Sequence, residues 1–424
     1  MSDGSSWLDG PGRHLWRPYT QMLTELAPLK AVATEGVYIE LEDGRRLVDG
    51  TSSWWTACHG YNHPYIRERV IEQLHAMPHV MFGGLYHAPA LELATRLAQL
   101  LPGDLAHAFF AESGSVSVEV AMKMAAQFWL NQGQRRTRFV SFLGGYHGDT
   151  LATMSVCDPE EGMHGMFKGL LADQLVIPLP VDDASRADFV GTLKRHRHEV
   201  AAVIMEPLMQ GAGGMRLHSP ETLAFIREAC TAHDVLLILD EIATGFGRTG
   251  TLFACEQADV IPDIITLSKA LTGGTLPLSA AVASTRIFEG FLSEDPLKAL
   301  MHGPTYMANP MGCTAALASL DLFEREPRIA QVKAIESQLA SGLTSLADLD
   351  HVVDVRVLGA MGAVQLKKGP KGLPLDAMRQ AFADRGVWVR PFGDVVYLMP
   401  PFIIETPQLE LLIEAVKDVV TTFR

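Results

Sequence analysis

The apolar run Val235-Leu-Leu-Ile-Leu239 closed by Asp240, followed by Ile264-Ile-Thr-Leu-Ser-Lys269, decides how this chain is read. Each stretch is short, aliphatic and bounded by polar or glycine positions, the pattern of a strand buried on both faces of a parallel sheet. In an open parallel sheet, ligands collect outside the carboxyl ends of the strands. Asp240 and Lys269 therefore bring a carboxylate and an amine to one edge. Pyridoxal phosphate needs such a pair: a lysine to form its Schiff base, and a carboxylate to keep its pyridine nitrogen protonated so that the ring acts as an electron sink. The two residues alone leave another reading open, a buried ion pair that only orders the sheet.

The surrounding chain extends the pattern. Candidate strands at His107–Ala111, Phe139–Phe142, Ala201–Met205, Val235–Leu239, Ile264–Leu267 and Ser279–Ala283 alternate with amphipathic segments. Val116, Val120, Met124 and Phe128 recur at helical spacing after the first strand. The alternation predicts an α/β fold built on a doubly wound, mainly parallel sheet. Before it, Val37–Asp49 alternates apolar and polar residues around Asp43-Gly44, a hairpin signal. After about residue 330 the chain returns to helix and hairpin patterns. One predicted hairpin covers 387–398, and a predicted closing helix covers Leu409–Phe423. The expected organisation is a large unit over 65–325, with 1–64 and 326–424 forming a smaller α+β domain beside it.

Composition narrows the function. The chain has 424 residues, 48% of them apolar and 20% charged, so it is globular and long enough for two or three domains. A formal net charge of −14 argues against nonspecific binding to nucleic acid or anionic membranes. Met1–Leu8 lacks a basic segment followed by an apolar one, so no signal peptide is expected. No apolar run approaches the roughly 20 residues that span a bilayer. Five scattered cysteines, Cys58, Cys157, Cys230, Cys255 and Cys313, have no metal-type spacing and fit a reduced, cytoplasmic protein.

Several turns could serve the Asp240–Lys269 edge. Glu112-Ser-Gly-Ser115 precedes the helix expected near Val116, where free amides and the helix dipole suit a phosphate, although Ser and Gly there also read as ordinary caps. Gly303-Pro304-Thr305 could donate to an anion or be a plain turn. Gly144-Gly-Tyr-His-Gly148 sets Tyr146 beside the same edge, where an aromatic ring can stack on a flat heterocycle or merely cap the core. Glu206, closing its strand, could support the site or pair in a salt bridge. Gly245–Gly250 resembles a phosphate loop but lacks the Gly-Lys-Ser/Thr ending. His59 and His63 have ligand-like separation beside Cys58, yet no second cluster completes a metal shell, so no metal is expected. Met122 and Met124 read as packing residues.

Taken together, Asp240–Gly250 and Ser268-Lys-Ala-Leu-Thr-Gly-Gly274 resemble the class III aminotransferases, pyridoxal-phosphate enzymes of fold type I. The resemblance covers nearly the whole chain. Trp16-Arg-Pro-Tyr-Thr20, Ser52-Ser-Trp-Trp55, His79–Gly84, Met301-His-Gly-Pro-Thr305 and Arg390-Pro-Phe-Gly393 are similar to one branch of the family. That branch serves biotin biosynthesis, converting 8-amino-7-oxononanoate to 7,8-diaminononanoate with S-adenosyl-L-methionine as amino donor. A departure from the family pattern is Glu112, where aspartate is usual; the charge is kept.

The resemblance implies a role for each matching residue. Lys269, Asp240 and Tyr19 would be catalytic. Gly114, Ser115, Tyr146, Pro304 and Thr305 would join Asp240 and Lys269 in holding pyridoxal 5'-phosphate, with Pro304 and Thr305 reaching across a homodimer. Tyr19, Trp54, Tyr146, Lys269, Gly303, Arg390 and Tyr397 would shape the pocket for small-molecule substrates. Arg390 is suited to the acceptor carboxylate, since guanidinium pairs with it bidentately. Trp54, Trp55 and Tyr19 offer flat surfaces to a sulfonium nucleoside and a long amino-keto acid alike, and a cation near aromatic faces is favourable. Lys269 must lose a proton to act as a base, although an ordinary lysine has a pKa of about 10.4, so its setting must be desolvated or cationic. The rival readings are a class III enzyme acting on an omega-amino acid, the same reaction with another donor, and a noncatalytic cofactor binder. Two adjacent tryptophans count against the first, and the Lys269–Asp240 pair against the last.

Overall fold

The computed structural model describes residues 10–159, 165–369 and 372–423. The expectation about Met1–Leu8 lies outside them. Among the described residues, sixteen strands form four sheets. Strands β1 (Ala31–Glu35), β2 (Tyr38–Leu41) and β3 (Arg46–Asp49) form an antiparallel meander, the last two joined across Asp43-Gly44 with Tyr38 opposite Val48.

The central sheet follows, comprising β4 (Leu105–Ala111), β5 (Arg138–Phe142), β6 (Leu175–Ile177), β7 (Val200–Met205), β10 (Leu236–Asp240), β11 (Ile264–Leu267) and β12 (Ser279–Ser284); β8 (Met209–Gln210) and β9 (Arg216–Leu217) make a small separate ribbon. Its seven strands run in the order β4-β12-β11-β10-β7-β5-β6. All neighbours from β11 to β6 are parallel, while β12 is antiparallel to both β11 and β4. Every residue of β7, β10, β11 and β12 is buried, which is why these strands read as mainly apolar runs. β6 escapes sequence reading because it is only three residues long and half-buried at the sheet edge. The helix Gly114–Asn131 lays Val120, Met124 and Phe128 on one face of the sheet. No helix among the described residues is long and apolar enough to cross a membrane.

Past residue 350, β13 (Val352–Leu358), β14 (Met361–Leu366) and β16 (Val395–Leu398) form an antiparallel sheet, while β15 (Val387–Trp388) leaves it to pair in parallel with β3. The hairpin expected over 387–398 is therefore corrected: its two halves belong to different sheets. Pro391 has no N–H to give a ladder, and Gly393 at φ +57° turns the chain through a single Phe392–Val395 bridge. The division has a consequence for the site, because it leaves Arg390 in the loop between the two sheets. The closing helix runs Thr406–Thr422 and buries Leu409, Leu412, Val416 and Val419, as its spacing predicts.

Candidate active site

β10 ends at Asp240, and Lys269 follows β11 with φ +46°, a left-handed conformation that a non-glycine residue adopts only where the surroundings hold it. A cavity of about 190 Å³ opens at these strand ends. Trp55, Ser113, Gly114, Ser115, Tyr146, His147, Gly148, Glu206, Asp240, Ile242, Ala243, Ser268 and Lys269 line it. The structure thus gathers Gly114, Ser115, Tyr146, Asp240 and Lys269 around one space.

Asp240 is buried and accepts hydrogen bonds from Ile242 N at 3.1 Å and Thr266 Oγ1 at 3.2 Å, and pairs with His147 Nδ1 at 2.8 Å. An ionised carboxylate has about four acceptor positions, so one remains for a further donor. His147 Nε2 is buried without a partner. Glu206 accepts from Tyr146 N at 3.1 Å and Gly211 N at 2.9 Å, which fixes the Gly144–Gly148 turn over the cavity. Burial pushes its carboxyl up to about 7, against the lowering influence of His147. The same burial pulls the Lys269 amine below the ordinary lysine range, and the negative fields of Asp240 and Glu206 oppose that shift. Its Nζ sits 4.6 Å from the centroid of the Trp55 ring, which reaches Tyr397 edge-on at 6.3 Å.

At the opposite wall the helix Gly114–Asn131 begins, capped by Ser113, whose Oγ accepts from Val116 N at 3.4 Å. The first amides of a helix lack internal partners and carry the positive end of its dipole. Gly148 has φ +130°, and a Cβ there would lie 2.2 Å from Ser115 Oγ, so only glycine lets this turn close on the helix start. The residues fit pyridoxal phosphate: a helix start for the phosphate, an acceptor on Asp240 for the ring nitrogen, the Tyr146 ring beside it, and an amine across the cavity.

A second cluster adjoins the first through Tyr146. Asp149 Oδ1 accepts from Tyr146 OH at 3.0 Å, and its Oδ2 accepts from Tyr19 OH. Burial and Asp149 push the Tyr19 phenol up to about 12, so it keeps its proton through neutral pH. Arg390 lies close enough to act on Tyr19 and Tyr397, with its guanidinium 5.3 Å from the Trp54 ring centroid. It makes no hydrogen bond or ion pair among the described residues. Trp54 and Trp55 stand on a turn, Ser52–Trp55, whose four residues all have positive φ, from 47° to 72°. Left-handed geometry costs an L-residue about 1–2 kcal/mol, so this turn is strained unless anchored.

Gly303, Pro304 and Thr305 do not join the cavity of their own chain; they lie at its surface, with Gly303 and Thr305 exposed. His59 is engaged elsewhere: its Nε2 meets Ser319 Oγ and its Nδ1 accepts from Arg328, both at 3.0 Å. Sequence reasoning missed His147 and Asp149, although both stand in the Gly144–Asp149 run that contains Tyr146. Only their partners, brought from other strands and from Tyr19, separate them from loop filler.

The class-III aminotransferase family model matches residues 21–420. The adenosylmethionine-8-amino-7-oxononanoate aminotransferase of Mycobacterium leprae is 44% identical over 96% of this chain and 94% of its own. A solved structure of the enzyme of that name from Methanocaldococcus jannaschii superposes with a TM-score of 0.92, at 34% identity and 98% coverage of both chains. An omega-transaminase from Thermomicrobium roseum reaches a TM-score of 0.89 at 32% identity, covering 97% of this chain and 96% of its own. Geometry and kinship agree, and the chain belongs to the class III aminotransferases.

Proposed function

We propose that this enzyme transaminates 8-amino-7-oxononanoate to 7,8-diaminononanoate in biotin biosynthesis, with S-adenosyl-L-methionine as donor and pyridoxal 5'-phosphate as cofactor. The observation that carries the reading is Arg390: a guanidinium with no hydrogen bond or ion pair among the described residues, 5.3 Å from the Trp54 ring and close enough to act on Tyr397, whose ring meets the cavity-lining Trp55. The name shared by relatives such as the Mycobacterium leprae enzyme supports the same substrates. The omega-amino-acid alternative is disfavoured by the paired indoles, which leave flat walls where a short acid would need polar contacts.

When bound, the cofactor supplies a carbonyl that exchanges oxygen for nitrogen and a ring that accepts the electron pair left on carbon. The protein's residues do the rest. Lys269 Nζ takes the donor's α proton and returns a proton afterwards; the burial that lowers its pKa makes the neutral amine accessible. Asp240, oriented by His147 and Thr266, holds a proton on the ring nitrogen. Tyr146 would flank the ring, and the amides of Gly114 and Ser115, at the cavity wall, would hold the phosphate. Tyr19 and Asp149 bind and orient substrate nitrogen and oxygen, while Trp54, Tyr397 and Arg390 set the pocket's length and its carboxylate anchor.

The enzyme works as a homodimer in the cytoplasm, with Gly303, Pro304 and Thr305 of one subunit completing the other's site. The surface position of these residues supports that arrangement. The pairing of β15 with β3 supports a small domain made from 1–64 and 326–424 beside a large one over 65–325. The test mixes cofactor-loaded enzyme with S-adenosyl-L-methionine alone, then with an omega-amino acid alone, and follows the cofactor's visible absorbance. Loss of that absorbance with the first donor and not the second is expected; the reverse pattern rejects the assignment.

A further inference from the structure

The turn that carries Trp54 and Trp55 has no conformational preference of its own to hold it. Ser52, Ser53, Trp54 and Trp55 sit at φ 48°, 47°, 55° and 72°, and none is glycine. Four successive L-residues in the left-handed region persist only if the surroundings over-determine them. The anchor is Asp49, a fully buried carboxylate at the end of β3. Its Oδ1 accepts from Thr51 N at 2.7 Å and Thr51 Oγ1 at 2.9 Å; its Oδ2 accepts from Ser53 N at 3.0 Å and Tyr61 OH at 2.5 Å. Thr51 precedes the turn and Ser53 lies in it, while Tyr61, six residues beyond Trp55, touches it through the Ser53 hydroxyl. Ser52 Oγ ties the same end again by donating to Met399 O at 2.7 Å, one residue after β16, and Trp55 N closes the turn on Thr51 O at 2.8 Å. The result is a pair of indoles facing two places: Trp55 over the Lys269 amine and Trp54 beside Arg390.

We propose that Asp49 is a positioning residue: by accepting from Thr51, Ser53 and Tyr61 it fixes the start of this turn, and so sets both indoles and with them the shape of the substrate pocket. The inference deepens the function proposed above and rests on it for the identity of the substrate. Asp49 touches no substrate itself. It acts through the backbone of Thr51 and Ser53, so its loss should alter substrate fit more than the chemistry at Lys269.

Whichever way its amide is turned, Asp49→Asn sets an NH2 group against a backbone N–H, that of Thr51 or that of Ser53, donor against donor. In the cofactor-loaded enzyme, KM for 8-amino-7-oxononanoate should rise at least tenfold while kcat changes by less than threefold. The near-UV circular dichroism of the tryptophans should change with the far-UV spectrum unaltered. Ser53→Gly on the same background should restore both readouts in large part, because glycine enters the left-handed region without steric cost. Rescue of this kind is not expected if Asp49 merely stabilises the fold. A wild-type near-UV spectrum in Asp49→Asn, or a double variant no better than the single, overturns the proposal. Should Asp49→Asn fail to fold, Tyr61→Phe removes a single donor and must shift the near-UV spectrum and KM in the same direction; unchanged values overturn the proposal there too. The near-UV comparison needs no substrate, so it decides the role of Asp49 even if wild-type enzyme leaves 8-amino-7-oxononanoate untouched, the result that would instead sink the functional reading.

Discussion

Replacing Arg390 with alanine separates acceptor recognition from general transamination. The side chain is half-buried, lies 5.3 Å from the Trp54 ring centroid, and has no hydrogen bond or ion pair among the described residues. Its removal therefore costs the fold little beyond a cation–π contact of about 0.5–1 kcal/mol. If Arg390 holds the acceptor carboxylate as proposed, binding should lose far more. A guanidinium–carboxylate contact contributes about 1.5–3 kcal/mol, which at 1.4 kcal/mol per decade is roughly ten- to a hundredfold in affinity. The assay is single turnover, with each half-reaction started from the matching cofactor form and the cofactor absorbance followed. The loss should fall mainly on the half-reaction that consumes 8-amino-7-oxononanoate, with the melting temperature shifted by no more than a few degrees. Equal damage to both half-reactions would make Arg390 an anchor shared by donor and acceptor. An undamaged acceptor half-reaction would refute the reasoning and put the carboxylate elsewhere.

Three further outcomes follow from the same geometry. Lys269→Ala should abolish transamination while leaving the far-UV spectrum intact; turnover near the wild-type rate would remove the lysine from the chemistry. Asp240→Asn should keep the cofactor bound yet slow loss of the donor's α proton severely, because a neutral partner no longer favours a protonated ring nitrogen; an unchanged first half-reaction in stopped flow would contradict this. Glu206 sets a pH dependence: burial raises its folded pKa to about 7, above the unfolded value of 4.5, so the folded chain binds the extra proton between those limits. Stability of the cofactor-free protein should therefore fall as pH rises from about 4.5 to 7, by on the order of 1–3 kcal/mol, and a Glu206→Gln variant should lose that slope in melts across the same range.

The parts of the fold legible in the sequence are those where one physical demand dominates. β7, β10, β11 and β12 are buried throughout, so apolar residues fill them except where a polar side chain finds a partner, as Thr266 does on Asp240, and their runs stand out. The Gly114–Asn131 helix shows equally well because a single face packs on the sheet. The segment 387–398 misleads because local alternation says nothing about which sheet a strand will join; the partner of Val387 is Val48, far away in sequence. In the site, Asp240 and Lys269 are visible because each ends an apolar strand. His147 looks like loop filler until Asp240 is found 2.8 Å away. The left-handed turn Ser52–Trp55 has no glycine to announce it, and its anchor Asp49 passes for an ordinary strand-end residue. Both depend on contacts that the linear order hides.

The most direct measurement of the central claim follows the nitrogen itself. Purified enzyme with pyridoxal phosphate is given 8-amino-7-oxononanoate and S-adenosyl-L-methionine labelled with ¹⁵N in its α-amino group, and the products are resolved by mass spectrometry. The account predicts 7,8-diaminononanoate carrying a single ¹⁵N at carbon 7, abolished by Lys269→Ala. Unlabelled or absent 7,8-diaminononanoate, in an enzyme that readily exchanges amine with an omega-amino acid, would contradict it.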